Sequence, residues 1–339
     1  MAEGVKKSIH QIAKEAGVSV ATVSRVLNDS PRVRAKTRSK ILSVIQKNQY
    51  APKPIKGRSA SITVLLHGVD HKGRESWFEP YLQPILDGVM EVLTQRQVGV
   101  VILPVPASWT AWRVLDGVRK RQTGAVISIL SPAHDPALRL LTEHSIPFLV
   151  INNGANESYH RIGTDNRRLV EMLVEHALMK GKRRLFYLSP SLRYADHEER
   201  LKSIRELAER RGFSLQVEVD AADPDKAPDN FIAGYRLAQA LPVSFGQSDS
   251  VLCGNPEIAI GCLRAFGERG VSVPNGVSLG VIDDYLFGEW MHPSLTCAAQ
   301  PLRAMGVLAG QKILSVFRGE VKKPLDLMLD PVLSVRSSL

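Results

Sequence analysis

Ser8-Ile9-His10-Gln11-Ile12-Ala13-Lys14-Glu15-Ala16-Gly17-Val18-Ser19-Val20-Ala21-Thr22-Val23-Ser24-Arg25-Val26-Leu27-Asn28 is the stretch on which the reading of this chain turns. Ser8 with Gln11 three residues on has the pattern of a capping box, which predicts a helix from Ser8. Ile9, Ile12, Ala13 and Ala16 fall at helical spacing on one face. Gly17 is placed to end that helix, because glycine accepts the left-handed conformation at low cost. Ser19 can cap a second helix whose apolar face is Val23, Val26 and Leu27. Its opposite face carries Val20, Ala21, Ser24, Arg25 and Asn28. Helix, turn, and a second helix with small, polar and basic outward residues is the helix-turn-helix pattern, in which the second helix enters the major groove of DNA. Spacing alone leaves open a plain helical domain with two helices joined at a glycine.

The residue identities go further than the spacing. Ala13, Ala16-Gly17-Val18-Ser19 and Ala21-Thr22-Val23-Ser24-Arg25-Val26-Leu27-Asn28 resemble the N-terminal signature of the LacI/GalR family of bacterial transcription regulators.

Working outward, charge supports a nucleic-acid partner for this end of the chain. The 339 residues carry a net charge of +10. Residues 1–61 hold 13 Lys/Arg against 3 Asp/Glu, and the rest of the chain balances 31 basic with 31 acidic side chains. The whole excess therefore lies with the helix-turn-helix, where neutralising phosphates and releasing counterions is its natural use. No apolar run reaches the roughly 18 residues needed to span a bilayer, and no secretory leader is visible. Three cysteines, Cys253, Cys262 and Cys297, lack CxxC spacing and fit a reducing, cytoplasmic setting without disulfides or a cysteine-rich zinc site.

After a turn at Asp29-Ser30-Pro31, a third helix is expected from about Ala35 to Asn48, with Ile41, Leu42, Val44 and Ile45 inward. Residues 1–50 thus form a helical headpiece, and 51–61, rich in Pro, Gly, Ser and basic residues, read as a linker or hinge. From residue 62 the texture becomes α/β. Strands are expected at Ile62–Leu66, Val98–Leu103, Ala125–Ile129, Phe148–Ile151, Arg184–Leu188, Val251–Cys253 and Val277–Ile282, separated by helical segments. Continuous apolar strands alternating with helices indicate parallel sheets covered on both faces. About nine strands exceed one compact sheet, so two doubly wound lobes with a cleft between them are expected.

The family resemblance resumes here and covers nearly the whole chain. Gly163-Thr164-Asp165-Asn166, Gly181-Lys182-Arg183-Arg184-Leu185, Val273 to Asp284, Pro293-Ser294-Leu295-Thr296, Gln300-Pro301 and Gly306 resemble its landmarks, with Lys182 replacing a histidine. The resemblance implies a small helix-turn-helix headpiece on a periplasmic-binding-protein-like core of two doubly wound parallel-sheet lobes. It implies three chain crossings between lobes, giving an N-lobe of about 62–160 and 295–325 and a C-lobe of about 161–294 and 326–339. The core, 62–339, is expected to bind effector and to dimerise.

In the headpiece, Arg25 is the strongest candidate for base contact, since a guanidinium can donate two bonds to guanine O6 and N7. A phosphate contact is its blander role. Val20 and Ala21 occupy positions that set operator preference in the family, and both suit a thymine methyl. Ser19, Thr22, Ser24 and Asn28 are better suited to phosphate. Arg34, Lys36 and Thr37 surround the start of the third helix, where backbone N–H groups also attract phosphate. The linker departs from the family: no leucine occurs between Gln49 and Thr63, so the minor-groove wedge is missing and only Ile55 could replace it.

In the core, Arg200 and Asp283 align with family residues that contact effector, while Asn255 retains one half of an Asn-Asp pair whose second member is Pro256 here. Trp77, Phe78 and Tyr81 stand where relatives place aromatics over the ligand. Carboxylate and guanidinium at strand ends suit a polyhydroxylated ligand, a sugar or sugar acid. Blander roles are a helix cap for Asp283 and a surface ion pair for Arg200. His67 and His71 are four apart but lack a fixed acidic partner, so no metal or other cofactor is expected. GxGxxG after a strand, GxxxxGK[ST] and HExxH are missing. These readings favour a dimeric, ligand-responsive repressor bound to a double-stranded operator, without a membrane role. A sugar-processing enzyme and a solute-binding module on the same core are the alternatives, weighed down by the missing catalytic motifs and by the basic headpiece.

Overall fold

A computed structural model describes residues 9–27, 33–48, 61–67, 80–106, 108–132, 134–152, 158–221, 229–242, 244–285, 287–321 and 323–339. The expected roles of Ser8, Asn28, Ile55, His71, Trp77 and Phe78, the turn at 29–31 and the linker lie outside these residues, as does the side chain of Ser24.

Three short helices make the headpiece: α1 (Ile9–Ala16), α2 (Val20–Leu27) and α3 (Ala35–Lys47). Gly17 ends α1 at φ 64°, and the Val18 amide closes the turn on the Ala13 carbonyl at 3.0 Å. Ser19 Oγ accepts from the Thr22 amide at 3.1 Å and so caps α2. Ile12, Ala13, Ala16, Val23, Val26, Ile41 and Ile45 fill the centre. Trp112 of the neighbouring lobe packs against this cluster and ties the headpiece to the core.

The first lobe is built from β1 (Ser61–His67), α4 (Leu82–Gln95), β2 (Gly99–Val105), α5 (Ala111–Lys120), β3 (Ala125–Ile129), α6 (Pro136–Glu143), β4 (Phe148–Ile151) and β5 (His160–Thr164). The second contains α7 (Asn166–Met179), β6 (Arg184–Ser189), α8 (Ala195–Arg211), β7 (Ser214–Val219), α9 (Asn230–Gln239), β8 (Asp249–Cys253), α10 (Pro256–Glu268), β9 (Ser278–Ile282) and β10 (Thr296–Ala299). The chain then returns through α11 (Leu302–Phe317) and β11 (Asp326–Leu329) to the first lobe and ends in β12 (Val332–Ser334) on the second. Strand order is β11-β5-β4-β3-β1-β2 in one sheet and β12-β10-β9-β8-β6-β7 in the other. The pairings are parallel except β10 with β12. Strands such as β1, β3 and β8 are buried along their whole length, as parallel strands covered by helices on both faces must be.

Three details differ from the sequence reading. Among the described residues there are two sheets of six strands, rather than about nine strands in all. The edge strand β7 alternates half-buried and exposed residues and lacks the continuous apolar run used to find the others. The chain does cross three times, but each crossing falls a few residues later than expected. β5, through Thr164, and β11, from Asp326, pair within the first sheet, whereas β10, from Thr296, pairs with β9 in the second. Strand pairing decides lobe membership, and hydrophobic runs do not show which neighbour a strand will choose.

Two helix pairs close each lobe at glycines. Gly88 of α4 faces the backbone of Arg303 and Val307, and Gly306 of α11 faces that of Ile85. Gly234 of α9 meets the backbone of Ile258, and Gly261 of α10 that of Phe231 and Tyr235. A Cβ at any of these positions would collide with a backbone atom, so the helix axes could not approach as they do.

Candidate functional site

On the headpiece, Ser19, Ala21 and Arg25 are exposed along α2, while Val20 and Thr22 are half-buried. Ser19 Oγ is 2.8 Å from Thr22 Oγ1, so both hydroxyls sit together at the helix start. Arg34 and Lys36 are exposed at the start of α3, with Thr37 half-buried beside them. Cationic side chains thus border an α2 surface of small and apolar residues, a combination able to grip phosphates and touch base edges.

In the core, each sheet reverses its winding between its first and third strands, β1 and β3 in one lobe, β6 and β8 in the other. Ligands of such sheets lie beyond the strand C-termini at that reversal. Arg200 of α8 is placed there and is only 3% exposed. Its Nη1 donates to the carbonyl of Gly254, just past β8, at 3.3 Å and lies 3.4 Å from Oδ2 of Asp283, just past β9. Its Nε donates to Asn166 Oδ1 at 2.9 Å. A buried guanidinium and carboxylate are costly unless paired and hydrogen-bonded, and both conditions are met. The blander roles foreseen for these two residues, surface ion pair and helix cap, do not apply.

Asp283 sits at φ 74°, a conformation uncommon without glycine, and its carboxylate is fixed from the crossing strand. Gln300 donates to Asp283 Oδ1 from its backbone amide at 3.3 Å and to Oδ2 from Nε2 at 3.0 Å. Gln300 Oε1 accepts from Asn152 Nδ2 at 2.5 Å, and Asn152 Nδ2 lies 2.6 Å from the Tyr81 hydroxyl. One polar chain therefore runs from Tyr81 and Asn152 in the first lobe, through Gln300 at a crossing, to Asp283 and Arg200 in the second. Burial, with Asp196 and Asp283 near it, pushes the Tyr81 hydroxyl pKa above its ordinary value.

The expected pair Arg200 and Asp283 is thus brought together, with Tyr81 beside it. Asn255 is used differently: its Oδ1 accepts from the Ile258 amide at 2.8 Å and caps α10. Sequence reasoning missed Asn152, Asp196, Glu199 and Glu257 as members of the seam, and used Asn166 and Gln300 only as landmarks. Asn166 Nδ2 donates to Asp196 Oδ1 at 3.1 Å and to Glu199 Oε2 at 2.8 Å. Asp283 and Asp284, adjacent in sequence, part company, since Asp284 pairs with Arg336.

His67 has partners of its own. Its Nε2 is 3.1 Å from Ser128 Oγ and its Nδ1 3.5 Å from Asp135 Oδ2, while Ser128 Oγ is 2.6 Å from Ser131 Oγ. Burial holds the imidazole pKa below its ordinary value, which favours the neutral ring. Serine, histidine and carboxylate stand in series, yet Ser128 is fully buried and its hydroxyl already paired, so no substrate carbonyl can reach it. Among the described residues no group of three potential metal ligands occurs, and no helix is long and apolar enough to cross a membrane.

A helix-turn-helix with a basic exposed helix, carried on two doubly wound lobes that share a polar seam, defines a DNA-binding transcriptional regulator with a ligand-binding type of core. Comparison with known proteins gives its family. Residues 8–53 match bacterial regulatory proteins of the lacI family, and residues 174–339 match the periplasmic binding protein-like domain. An uncharacterized HTH-type transcriptional regulator of Streptomyces limosus is 29% identical over 96% of this chain and 93% of its own. Two solved structures share the fold. The transcriptional regulator CelR in complex with cellobiose is 23% identical over 98% of this chain and 99% of its own, with a TM-score of 0.71. The lac repressor dimer bound to operator and the anti-inducer ONPF is 20% identical over the same shares, with a TM-score of 0.70. The chain belongs to the LacI family of bacterial regulators.

Proposed function

We propose that this regulator is a cytoplasmic repressor, active as a homodimer on a two-fold operator, and controlled by a small polyhydroxylated ligand held between its lobes. The observation that carries the ligand reading is the buried Arg200–Asp283 pair, joined through Gln300 and Asn152 to Tyr81 of the opposite lobe. A ligand that takes over hydrogen bonds on both sides of this seam changes how the lobes sit, and with them the two headpieces. Its leverage on DNA equals the difference in its affinity for the two lobe arrangements. The likeness to an operator-bound repressor dimer and to a cellobiose complex favours the same assignment. Base reading falls to Val20, Ala21 and Arg25, and phosphate contact to Ser19, Thr22, Ser24, Asn28, Arg34, Lys36 and Thr37, with Ile55 as the replacement wedge.

The deciding experiment pairs two readouts on single variants. Asp283→Ala and Arg200→Ala each abolish the ligand response in a reporter driven by the chain's own operator, while operator affinity without ligand stays within about threefold of the parent. Retained response in either variant removes that residue from the ligand site.

A further inference from the structure

The seam has more hydrogen-bond acceptors than donors. Its donors are already engaged: Arg200 on Asn166, Gly254 and Asp283, Asn166 on Asp196 and Glu199, Gln300 on Asp283, and Asn152 on Gln300 and Tyr81. Its acceptors are not exhausted. Asp196 and Glu199 share one amide of Asn166. Glu257, at the start of α10 beside the Gly254 turn, accepts from the Tyr285 hydroxyl at 2.8 Å through Oε1, while its Oε2 is buried with no hydrogen-bond partner. Four carboxylates, Asp196, Glu199, Glu257 and Asp283, stand around one guanidinium, Arg200. Burial pushes the carboxyl groups of Asp196 and Glu257 above the ordinary range, as expected for acids that lack enough positive charge nearby.

We propose that the effector is a polyhydroxylated compound bearing an ammonium group, of the amino-sugar class, and that sugar acids and sugar phosphates are excluded. This rests on the effector reading above and narrows it. A ligand carboxylate or phosphate brings acceptors and negative charge to a seam already rich in both. Hydroxyls bring donors, and an ammonium brings three donors with the missing charge. A buried acceptor left unpaired costs more than an average hydrogen bond contributes, so the surplus discriminates strongly between ligand classes.

The test uses the full-length protein and three compounds that share one pyranose frame: glucosamine, glucose and glucuronate. Isothermal calorimetry is expected to show glucosamine binding at least about tenfold more tightly than glucuronate, with glucose between them. Asp196→Asn and Glu257→Gln each remove one negative charge and are expected to shrink that ratio severalfold. Two variants are used so that a folding defect in one does not decide the outcome. Equal or tighter binding of glucuronate overturns the proposal, as does the failure of all three compounds to bind. A ratio that neither variant alters places binding outside the seam and overturns it too. The broader reading fails on a separate result: a response to the operon's own inducer that survives Asp283→Ala.

Discussion

At the scale of single residues, a few side chains are committed against their ordinary chemistry, and Glu257 shows the cost. Burial pushes its carboxyl pKa up to about 6, from an ordinary 4.5, and the Tyr285 hydroxyl offsets only part of this. The folded protein therefore holds a proton that the unfolded chain has released between those values. The associated stability is full below about pH 4.5 and is lost as the pH rises through about 6, a change of about 2 kcal/mol. Glu257→Gln keeps the shape and removes the titration. Urea unfolding at pH 4.5 and pH 7 should show the parent losing about that much more stability than the variant over this interval, and equal losses would contradict it. On the headpiece, exposed Arg25 and Lys36 are expected to separate by specificity. Arg25→Ala should cost about 1–3 kcal/mol on the operator and little on random duplex, whereas Lys36→Ala weakens both alike. Mobility-shift titrations on the two duplexes check this, and equal losses for Arg25→Ala would remove it from base reading.

At the scale of elements, the lobes depend on helices that approach at glycines. The backbone of α9 occupies the space that a Cβ at Gly261 would need, and α11 with α4 repeats the arrangement at Gly306 and Gly88. Gly261→Ala gains helix propensity but forces α9 and α10 apart, and overpacking of this kind costs about 1–3 kcal/mol. Thermal unfolding should show a lowered midpoint. Gly267→Ala on the same helix is the control, since nothing lies near its Cβ position, and it should not lower the midpoint. A similar drop for both would remove close approach as the cause.

At the scale of the whole molecule, one headpiece reads only a few base pairs, and two-fold operators match two-fold proteins. Large apolar side chains remain exposed on both lobes: Met90 and Ile102 on the first, Phe231, Ile232 and Trp290 on the second. Trp290 is 81% exposed, an extreme position for that residue in a lone chain. The full-length protein is expected to sediment as a dimer at micromolar concentration, and Phe231→Asp with Ile232→Asp to shift it toward monomer and lower operator affinity at least tenfold. A monomer in the parent, or an unchanged dimer in the variant, would place the interface elsewhere or dispense with it.

The sequence by itself determined the headpiece and the architecture of the core. The helical spacing from Ile9 to Val26, the glycine at Gly17 and the cap at Ser19 are local signals, and local hydrogen bonds realise them. The alternation of apolar strands with helices likewise sufficed for two doubly wound lobes, because burial on both faces leaves a parallel strand no other composition. Arg200 and Asp283 were legible only through the family resemblance. Asn152, Asp196, Glu199 and Glu257 were not, because each lies far along the chain from the groups it meets, and no periodicity links positions that different strands bring to one edge. Tertiary structure alone decided that Asp283 enters the seam while Asp284 turns to Arg336, that Asn255 caps a helix, and that β10 and β11 join opposite sheets. Each of these choices depends on which strand pairs with which, a long-range contact that adjacent residues do not encode.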